Sequence, residues 1–182
     1  MVSDHTQLTV SEKISLSLPY QQYAEALYDV IDRNRAYLSQ YMSWPSAVLC
    51  PADTMSFLAD SYLAYREDRG KTYIILYGGE PVGVLSFNEI DLLNKTATVG
   101  YWLDRDMQKK GIISCALKCL TERYAQSGMI RRFVIKCITT NQDSNAVAKR
   151  AGFQHEGVLK SAEYINGVYH DQNLYALISS PA

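Results

Sequence analysis

The stretch Tyr101-Trp102-Leu103-Asp104-Arg105-Asp106-Met107-Gln108-Lys109-Lys110-Gly111-Ile112-Ile113-Ser114 joins an aromatic strand end, a polar turn containing glycine and the start of an apolar-periodic helix. The first amides of a helix have no intrahelical partner and the macrodipole adds partial positive charge there, so this junction can hold an anion. Gly111 permits close approach of a ligand to the backbone, and Lys109 and Lys110 add charge that suits a pyrophosphate. A polar turn leading into a helix is also ordinary structure, and both readings stand at this point.

A second constellation, Asn141-Gln142-Asp143-Ser144-Asn145-Ala146-Val147-Ala148-Lys149-Arg150-Ala151-Gly152-Phe153, follows the β-rich run from Phe133 to Thr139. Asn141 or Asp143 can accept from the first free amides, Lys149 and Arg150 suit the C-terminal end of the dipole, and Gly152 suits a left-handed stop. Capping does not require amide and hydroxyl side chains together at Asn141, Ser144 and Asn145, facing the same sheet edge as the anion site. Gly70-Lys71-Thr72 imitates the end of a nucleotide-binding loop, but Tyr65 stands where that loop needs glycine and the segment runs into a strand. His170-Asp171 invites a metal or dyad reading; with three histidines in the chain, His5, His155 and His170, no ligand set assembles, and a polar pair facing a substrate groove is expected instead.

The elements that must carry these groups form a mixed α/β order. A strand is expected over Leu8–Leu18, broken around Ser11–Lys13, then helices over Tyr20–Tyr41 and after Pro51. Between them Met42-Ser43-Trp44-Pro45 is an aromatic connection that either lines a pocket or anchors a loop in the core. Strands follow over Thr72–Tyr77 and Pro81–Ile90, joined by Gly78-Gly79-Glu80, and over Thr96–Leu103. Helix Ile112–Tyr124, strand Phe133–Thr139, helix Ser144–Arg150 and two strands around Asn166-Gly167 complete one domain over residues 1–182.

A hydrophobic fraction of 47% and a charged fraction of 20% suit one globular core. The net charge of −1 gives no basic field for nucleic acid, and no apolar run is long enough for a bilayer, so a soluble cytoplasmic protein without membrane or nucleic-acid partners is expected. The segment Met1–Val10 lacks the pattern of a secretory signal. Cys50, Cys115, Cys119 and Cys137 lack metal-site spacing and are expected as reduced core thiols, Cys115 and Cys119 sharing one helix face.

Together these motifs resemble the GNAT superfamily of acetyltransferases and, within it, protein N-terminal acetyltransferases of the RimJ/RimL type. Gln108-Lys109-Lys110-Gly111 resembles the superfamily's pyrophosphate loop, with Lys109 and Ile113 departing from its glycine and its final Gly/Ala. Asn141-x-x-Ser144-Asn145, Gly152-Phe153 and Glu156-Gly157 resemble the type's cofactor motif; Gly83-x-Leu85-Ser86-Phe87-Asn88 and the ending Tyr164-x-Asn166-Gly167-x-Tyr169-His170-Asp171 are also similar. The resemblance implies a mixed, mostly antiparallel sheet with two splayed parallel strands, Thr96–Leu103 and Phe133–Thr139, that take the pantetheine arm of acetyl-CoA. On that basis Trp102, Leu103, Gln108, Lys109, Lys110, Gly111, Ile112, Ile113, Ser114, Asn141 and Asn145 are expected to bind cofactor. Glu163 is expected to deprotonate the acceptor amine through a water, and Ser144 to protonate the departing thiolate. Trp44, Asn88, Tyr164 and His170 are expected on the acceptor side. The implied acceptor is the N-terminus of a protein such as a ribosomal protein, with a small amine such as a polyamine or aminoglycoside, or a non-catalytic acyl-CoA-binding role, as alternatives; the resemblance also admits a homodimer, and no metal is expected.

Overall fold

The computed structural model describes residues 7–179; the part of Met1–Val10 before residue 7, His5 included, lies outside them. Eight strands and four α-helices follow in the order β1 (Gln7–Thr9), β2 (Ile14–Ser17), α1 (Ala24–Leu38), α2 (Pro51–Arg66), β3 (Lys71–Tyr77), β4 (Glu80–Asp91), β5 (Thr96–Leu103), α3 (Ile112–Gln126), β6 (Arg132–Ile138), α4 (Gln142–Arg150), β7 (Gln154–Ile165) and β8 (Val168–Ile178). The strands form one sheet in the order β1-β2-β3-β4-β5-β6-β8-β7, antiparallel at every step except β5–β6. The expected break in the first strand is a real turn, in which the amides of Val10 and Ser11 both donate to the Ile14 carbonyl.

Alternation along the central strands sorts side chains to two faces. Tyr73, Ile75, Leu85, Phe87, Ala97, Val99, Phe133 and Ile135 meet α3 and α4 through Ile112, Ala116, Leu117, Leu120 and Ala148. On the opposite face Ile74, Leu76 and Val84 meet Ala24, Leu27 and Ile31 of α1 and Leu58 of α2. The buried stripe of α1, Leu27, Val30, Ile31, Asn34 and Leu38, keeps helical spacing but includes one amide side chain. Pro51 occupies the first turn of α2, and Asp53 accepts from the amides of Leu49 and Cys50 at 2.8 and 3.1 Å. Lys71, of the rejected loop lookalike, opens β3 with its ammonium bonded to Asp68 and to the Tyr65 carbonyl.

The sheet is held together differently at its centre. β5 and β6 pair only from Thr96↔Arg132 to Val99↔Ile135, while β5 stays paired to β4 as far as Leu103 and β6 to β8 as far as Ile138. Gly100–Leu103 and Lys136–Ile138 therefore face each other unpaired. A bulge in β4 at Asn88, between the pairs Phe87↔Val99 and Glu89↔Thr98, adjoins the point of divergence. A second irregularity, between Leu159 and Glu163 with Ser161 at φ 50°, bends the last hairpin. Its tip, Asn166-Gly167 at φ 52° and 83°, has the left-handed pair of a type I′ turn, and the Asn166 side chain donates to the Ser39 carbonyl at 2.9 Å. Thus the hairpin crosses to the end of α1.

Gly83 lies where β4 and the end of β5 approach most closely: a Cβ there would meet the Trp102 carbonyl oxygen at 2.2 Å, and backbone cannot step aside as a flexible side chain can. Gly83→Ala is expected to lower stability by about 1–3 kcal/mol, as overpacking does, measured by chemical denaturation.

Candidate functional site

The gap between β5 and β6 opens into a cavity of about 1170 Å³. Its walls come from the end of α1 and the following connection (Tyr37, Tyr41, Met42, Trp44), from the diverging strands, from the start of α3 and from α4, with Glu163 and Gln172 of the last hairpin closing one side. The unpaired strand edges leave backbone donors and acceptors directed into the gap, which an extended ligand with its own amides can satisfy as an added strand would.

At one end of the cavity the turn before α3 is shaped for anions. Lys109 (φ 61°) and Gly111 (φ 72°) take left-handed backbone on either side of Lys110, a local alternation that turns successive amides toward one concavity. Gly111 caps α3 without a side-chain bond, and the first intrahelical bond of the helix runs from Cys115 to the Gly111 carbonyl, so the amides of Ile112, Ile113 and Ser114 precede it. The side chains of Ile112 and Ile113 are buried in the core, so the departure at Ile113 adds its bulk mainly on the core side of the turn. Lys109 lines the cavity, and so does Arg150, a cation that the motif reading passed over as a capping residue. Lys110 lies outside the lining, with its ammonium 3.3 Å from Met107 Sδ and over the Tyr77 ring. Gln108 lines the cavity but donates to the Tyr37 hydroxyl.

The α4 start divides into two roles. Asn141 Oδ1 accepts from the Ser144 amide at 3.2 Å, and both residues line the cavity. Asn145 does not. It is buried, its amide donates to the carbonyls of Ile138 and Asn141 at 2.9 and 2.7 Å, and its oxygen accepts from the Tyr175 hydroxyl at 2.9 Å and the Asn173 amide at 2.7 Å. Every polar valence of Asn145 is occupied, three bonds docking α4 on β6 and β8 and one closing on the cap of its own helix, which corrects its placement among groups that touch a ligand.

Ser144 belongs to a cluster that strand and helix signals did not announce. Its hydroxyl donates to Tyr101 Oη at 3.1 Å and sits 3.2 Å from Cys137 Sγ, while Tyr101 Oη donates to the Ser144 carbonyl at 3.1 Å. Tyr101 and Cys137 thus come from the two diverging strands and meet α4 at the floor of the gap. Burial pushes the Tyr101 hydroxyl well above its usual range; burial also pushes the Cys137 thiol up, against hydrogen bonds from Ser144 and Tyr101. Both groups stay protonated near neutrality. Cys137 is a buried thiol as expected, but Cys50 and Cys115 are exposed and Cys119 is half-buried, so the core-thiol expectation fails for them: Cys115 points off the outer side of α3.

On the other side of the cavity stand Trp44, Asn88, Trp102, Leu103 and Glu163. Trp44 and Trp102 rings lie 5.8 Å apart. Asn88 is the bulge residue of β4; it accepts from Ser86 Oγ at 2.6 Å and lies over Gly100, where a Cβ would come 2.6 Å from its amide nitrogen. Glu163 accepts from Gln172 Nε2 at 3.2 Å. Strand alternation turns the neighbouring Tyr164 the other way, where it is exposed against the Tyr169 ring at 4.8 Å, and His170, although opposite Glu163 in register, is not part of the lining. The expected acceptor-side positions Tyr164 and His170 are therefore outside the cavity. Among the described residues no group of His, Cys, Asp and Glu is arranged to hold a metal ion, and no helix is long and apolar enough to cross a membrane.

An extended arm with amides, ending in a thioester at one end and a diphosphate at the other, fits this geometry: open strand edges, free amides and cations at the α3 turn, and hydroxyl and thiol groups at the floor of the gap. Residues 14–154 match the model of the acetyltransferase (GNAT) domain. The chain is 44% identical over 171 residues to the ribosomal-protein-serine acetyltransferase of Escherichia coli (strain K12), an alignment covering 94% of this chain and 96% of that one. Among solved structures, a microcin self-immunity acetyltransferase in complex with acetyl-CoA and AMP superposes with a TM-score of 0.94 at 42% identity, covering 96% and 97% of the two chains. RimL, a ribosomal alpha-N-protein acetyltransferase in complex with coenzyme A disulfide-linked to one of its cysteines, superposes at 0.92 with 43% identity, covering 94% and 97%.

Asn145→Ala strips partners from several buried groups at about 1–3 kcal/mol each; its expected signature is a loss of about 2–4 kcal/mol in denaturant-monitored stability. The splayed sheet, the turn of free amides before α3 and these similarities agree on one assignment: the chain belongs to the GNAT family and is an acetyl-CoA-dependent N-acetyltransferase.

Proposed function

We propose that the acceptor is the α-amine of a protein N-terminus, with a ribosomal protein as the first candidate, and that the acetyl group passes directly from acetyl-CoA to the amine inside the cavity. The observation that carries the proposal is that Glu163 and Ser144 line the same cavity on different elements, the hairpin and α4, with the gap between β5 and β6 also opening into it. An N-terminal amine has a pKa of about 7.7–8.0 against about 10.4 for lysine, so a weak base suffices to uncharge it. In this reading Glu163 takes that proton through a water, the amine attacks the thioester carbonyl, and the thiolate departs toward Ser144. The Ser144 hydroxyl supplies a hydrogen bond or proton there and is held by Tyr101. Cys137 is the cysteine that lines the cavity, and RimL, with coenzyme A disulfide-linked to a cysteine, supports placing the thiol end beside it.

Donor binding is assigned in the same reading. The edges at Trp102 and Leu103 take the pantetheine arm, the amides from Gly111 to Ser114 with Gln108 and Lys109 take the diphosphate, and Asn141 frames the α4 side. Lys110 contributes charge from outside the cavity. Trp44 and Asn88 form the acceptor wall. Among the described lining residues the carboxylates are Asp143 and Glu163, against the cations Lys109, Lys136 and Arg150, a balance that does not favour a polyamine. A second acceptor class, an amine attached to an adenine nucleotide, is favoured by one observation: the aromatic pair Trp44–Trp102 offers a base-stacking wall, and the microcin self-immunity enzyme was solved with AMP. The name of the Escherichia coli relative supports a cytoplasmic location beside ribosomes.

With labelled acetyl-CoA and a proteome extract, label is expected on protein N-termini; label confined to nucleotide-linked or other small amines overturns the acceptor assignment. On the identified acceptor, Glu163→Gln is expected to lower kcat/KM by about 10²–10⁴, the range of lost general-base catalysis, with near-wild-type acetyl-CoA binding. Ser144→Ala is expected to lower kcat by about tenfold or more, since a thiol is already a fair leaving group. Unchanged rates in both variants would end these role assignments.

A further inference from the structure

The segment that leads from β5 to the anion turn is gripped by three side chains from one side of α1. Asn34, 5% exposed, donates to Asp104 Oδ1 at 3.0 Å and to the Val30 carbonyl at 2.8 Å, and its oxygen accepts from the Arg105 amide at 3.0 Å. Asp104, 2% exposed, also accepts from the Asp106 amide at 3.2 Å and from the Arg33 guanidinium, while its own amide continues the ladder to the Val82 carbonyl at 2.7 Å. One turn further along α1, Tyr37 receives the Gln108 side chain. Asp104 is thus the anchor of the turn, bonded on its backbone to the sheet and on its side chain to α1 and to its own loop.

This anchor is a carboxylate. Burial pushes its pKa up, but the bonds from Arg33, Asn34 and the Asp106 amide outweigh burial and hold it below the ordinary range, so it carries a full negative charge at neutral pH. That charge stands seven residues before Gly111, at the opposite end of a turn whose proposed ligand is itself anionic. Its partner Arg33 is half exposed and is not part of the cavity lining. Asn at position 104 would offer an oxygen for the loop amide without the charge.

We infer that Arg33 is a positioning residue for the acyl donor: it neutralises the Asp104 anchor, so that the turn is both fixed in shape and attractive to the donor's phosphates. The inference rests on the reading that the turn takes the diphosphate. Without Arg33, the buried carboxylate repels the phosphates across the turn. At an effective dielectric between that of water and that of a protein surface, one uncompensated charge about 10 Å from a doubly charged group costs roughly a fivefold to tenfold loss of affinity. Because the turn residues from Lys109 to Gly111 are exposed, salt screens this repulsion at the ligand's side.

The test measures dissociation constants for coenzyme A and for pantetheine, which lacks the phosphates, on the full chain at low and high salt. Wild type is expected to prefer coenzyme A strongly; no preference would overturn the diphosphate reading itself, and the inference with it. Arg33→Met is expected to weaken coenzyme A about fivefold to tenfold at low salt, less at high salt, and to leave pantetheine unchanged. Arg33→Met/Asp104→Asn is expected to return to within about twofold of wild type. If wild type prefers coenzyme A but Arg33→Met weakens both ligands alike, or the double variant stays as weak as the single one, Arg33 has only a structural role and the inference falls. Should Arg33→Met not fold, Asp104→Asn alone decides, since it leaves the Arg33 cation uncompensated: coenzyme A binding tighter than wild type at low salt, with pantetheine unchanged, upholds the inference, and unchanged or weaker coenzyme A binding overturns it.

Discussion

Beyond Val99 and Ile135 the parallel strands β5 and β6 no longer hydrogen-bond to each other, and the protein leaves backbone edges of a buried sheet unpaired at its centre. Such edges are costly unless something satisfies them, so the divergence is a constraint that the rest of the molecule must keep. β4 holds one strand through Leu103 and β8 holds the other through Ile138, and the bulge at Asn88 of β4 adjoins the point where the two part. Tyr101, Ser144 and Cys137 bridge the floor of the gap, preventing it from closing or widening there. The gap is also why one cavity can join the turn before α3 to Ser144 and to the wall of Trp44 and Asn88.

Around the gap, polar side chains set geometry and lie largely out of a ligand's reach. Asn145 spends all its hydrogen-bonding capacity on α4 and its sheet, which places Ser144. Asn34 and Asp104 do the same for the turn before α3. Asn166 ties the tip of the last hairpin to Ser39 at the end of α1, so that Glu163 lines the same cavity as the acceptor wall. Fixed dipoles of this kind need no reorganisation when charge develops during reaction, which is where such a scaffold contributes to rate.

Much of this was legible in the residues. Apolar periodicity and turn chemistry located the strands and helices to within a few residues, because each segment's local preference agrees with its place in the fold. Gly111 and Asn141 marked the turn and the cap for the same reason: a left-handed cap and a side-chain oxygen at a helix start are local requirements. What was not legible depends on approach in three dimensions. Asn145 looked like a ligand-facing amide since sequence spacing cannot show that Tyr175 and Asn173, on a strand nearly thirty residues away, would occupy its oxygen. The resemblance puts Tyr164 and His170 on the acceptor side with Trp44 and Asn88, yet strand alternation turns Tyr164 outward, and His170 lies outside the cavity lining. Arg33 carried no signal at all, since its meaning comes only from Asp104, far along the chain.

The central claim is that the divergent strand edges and the α3 turn, and not the aromatic acceptor wall, are the surface on which the acyl donor is held. Residue-resolved amide hydrogen exchange with and without acetyl-CoA tests this directly, since a bound arm protects the amides it accepts from. Slowed exchange is predicted within Gly100–Leu103, Lys136–Ile138 and Gly111–Ser114, with little change in the connection around Trp44. Protection centred on Tyr41–Trp44, with those strand ends and the turn unaffected, would contradict the account.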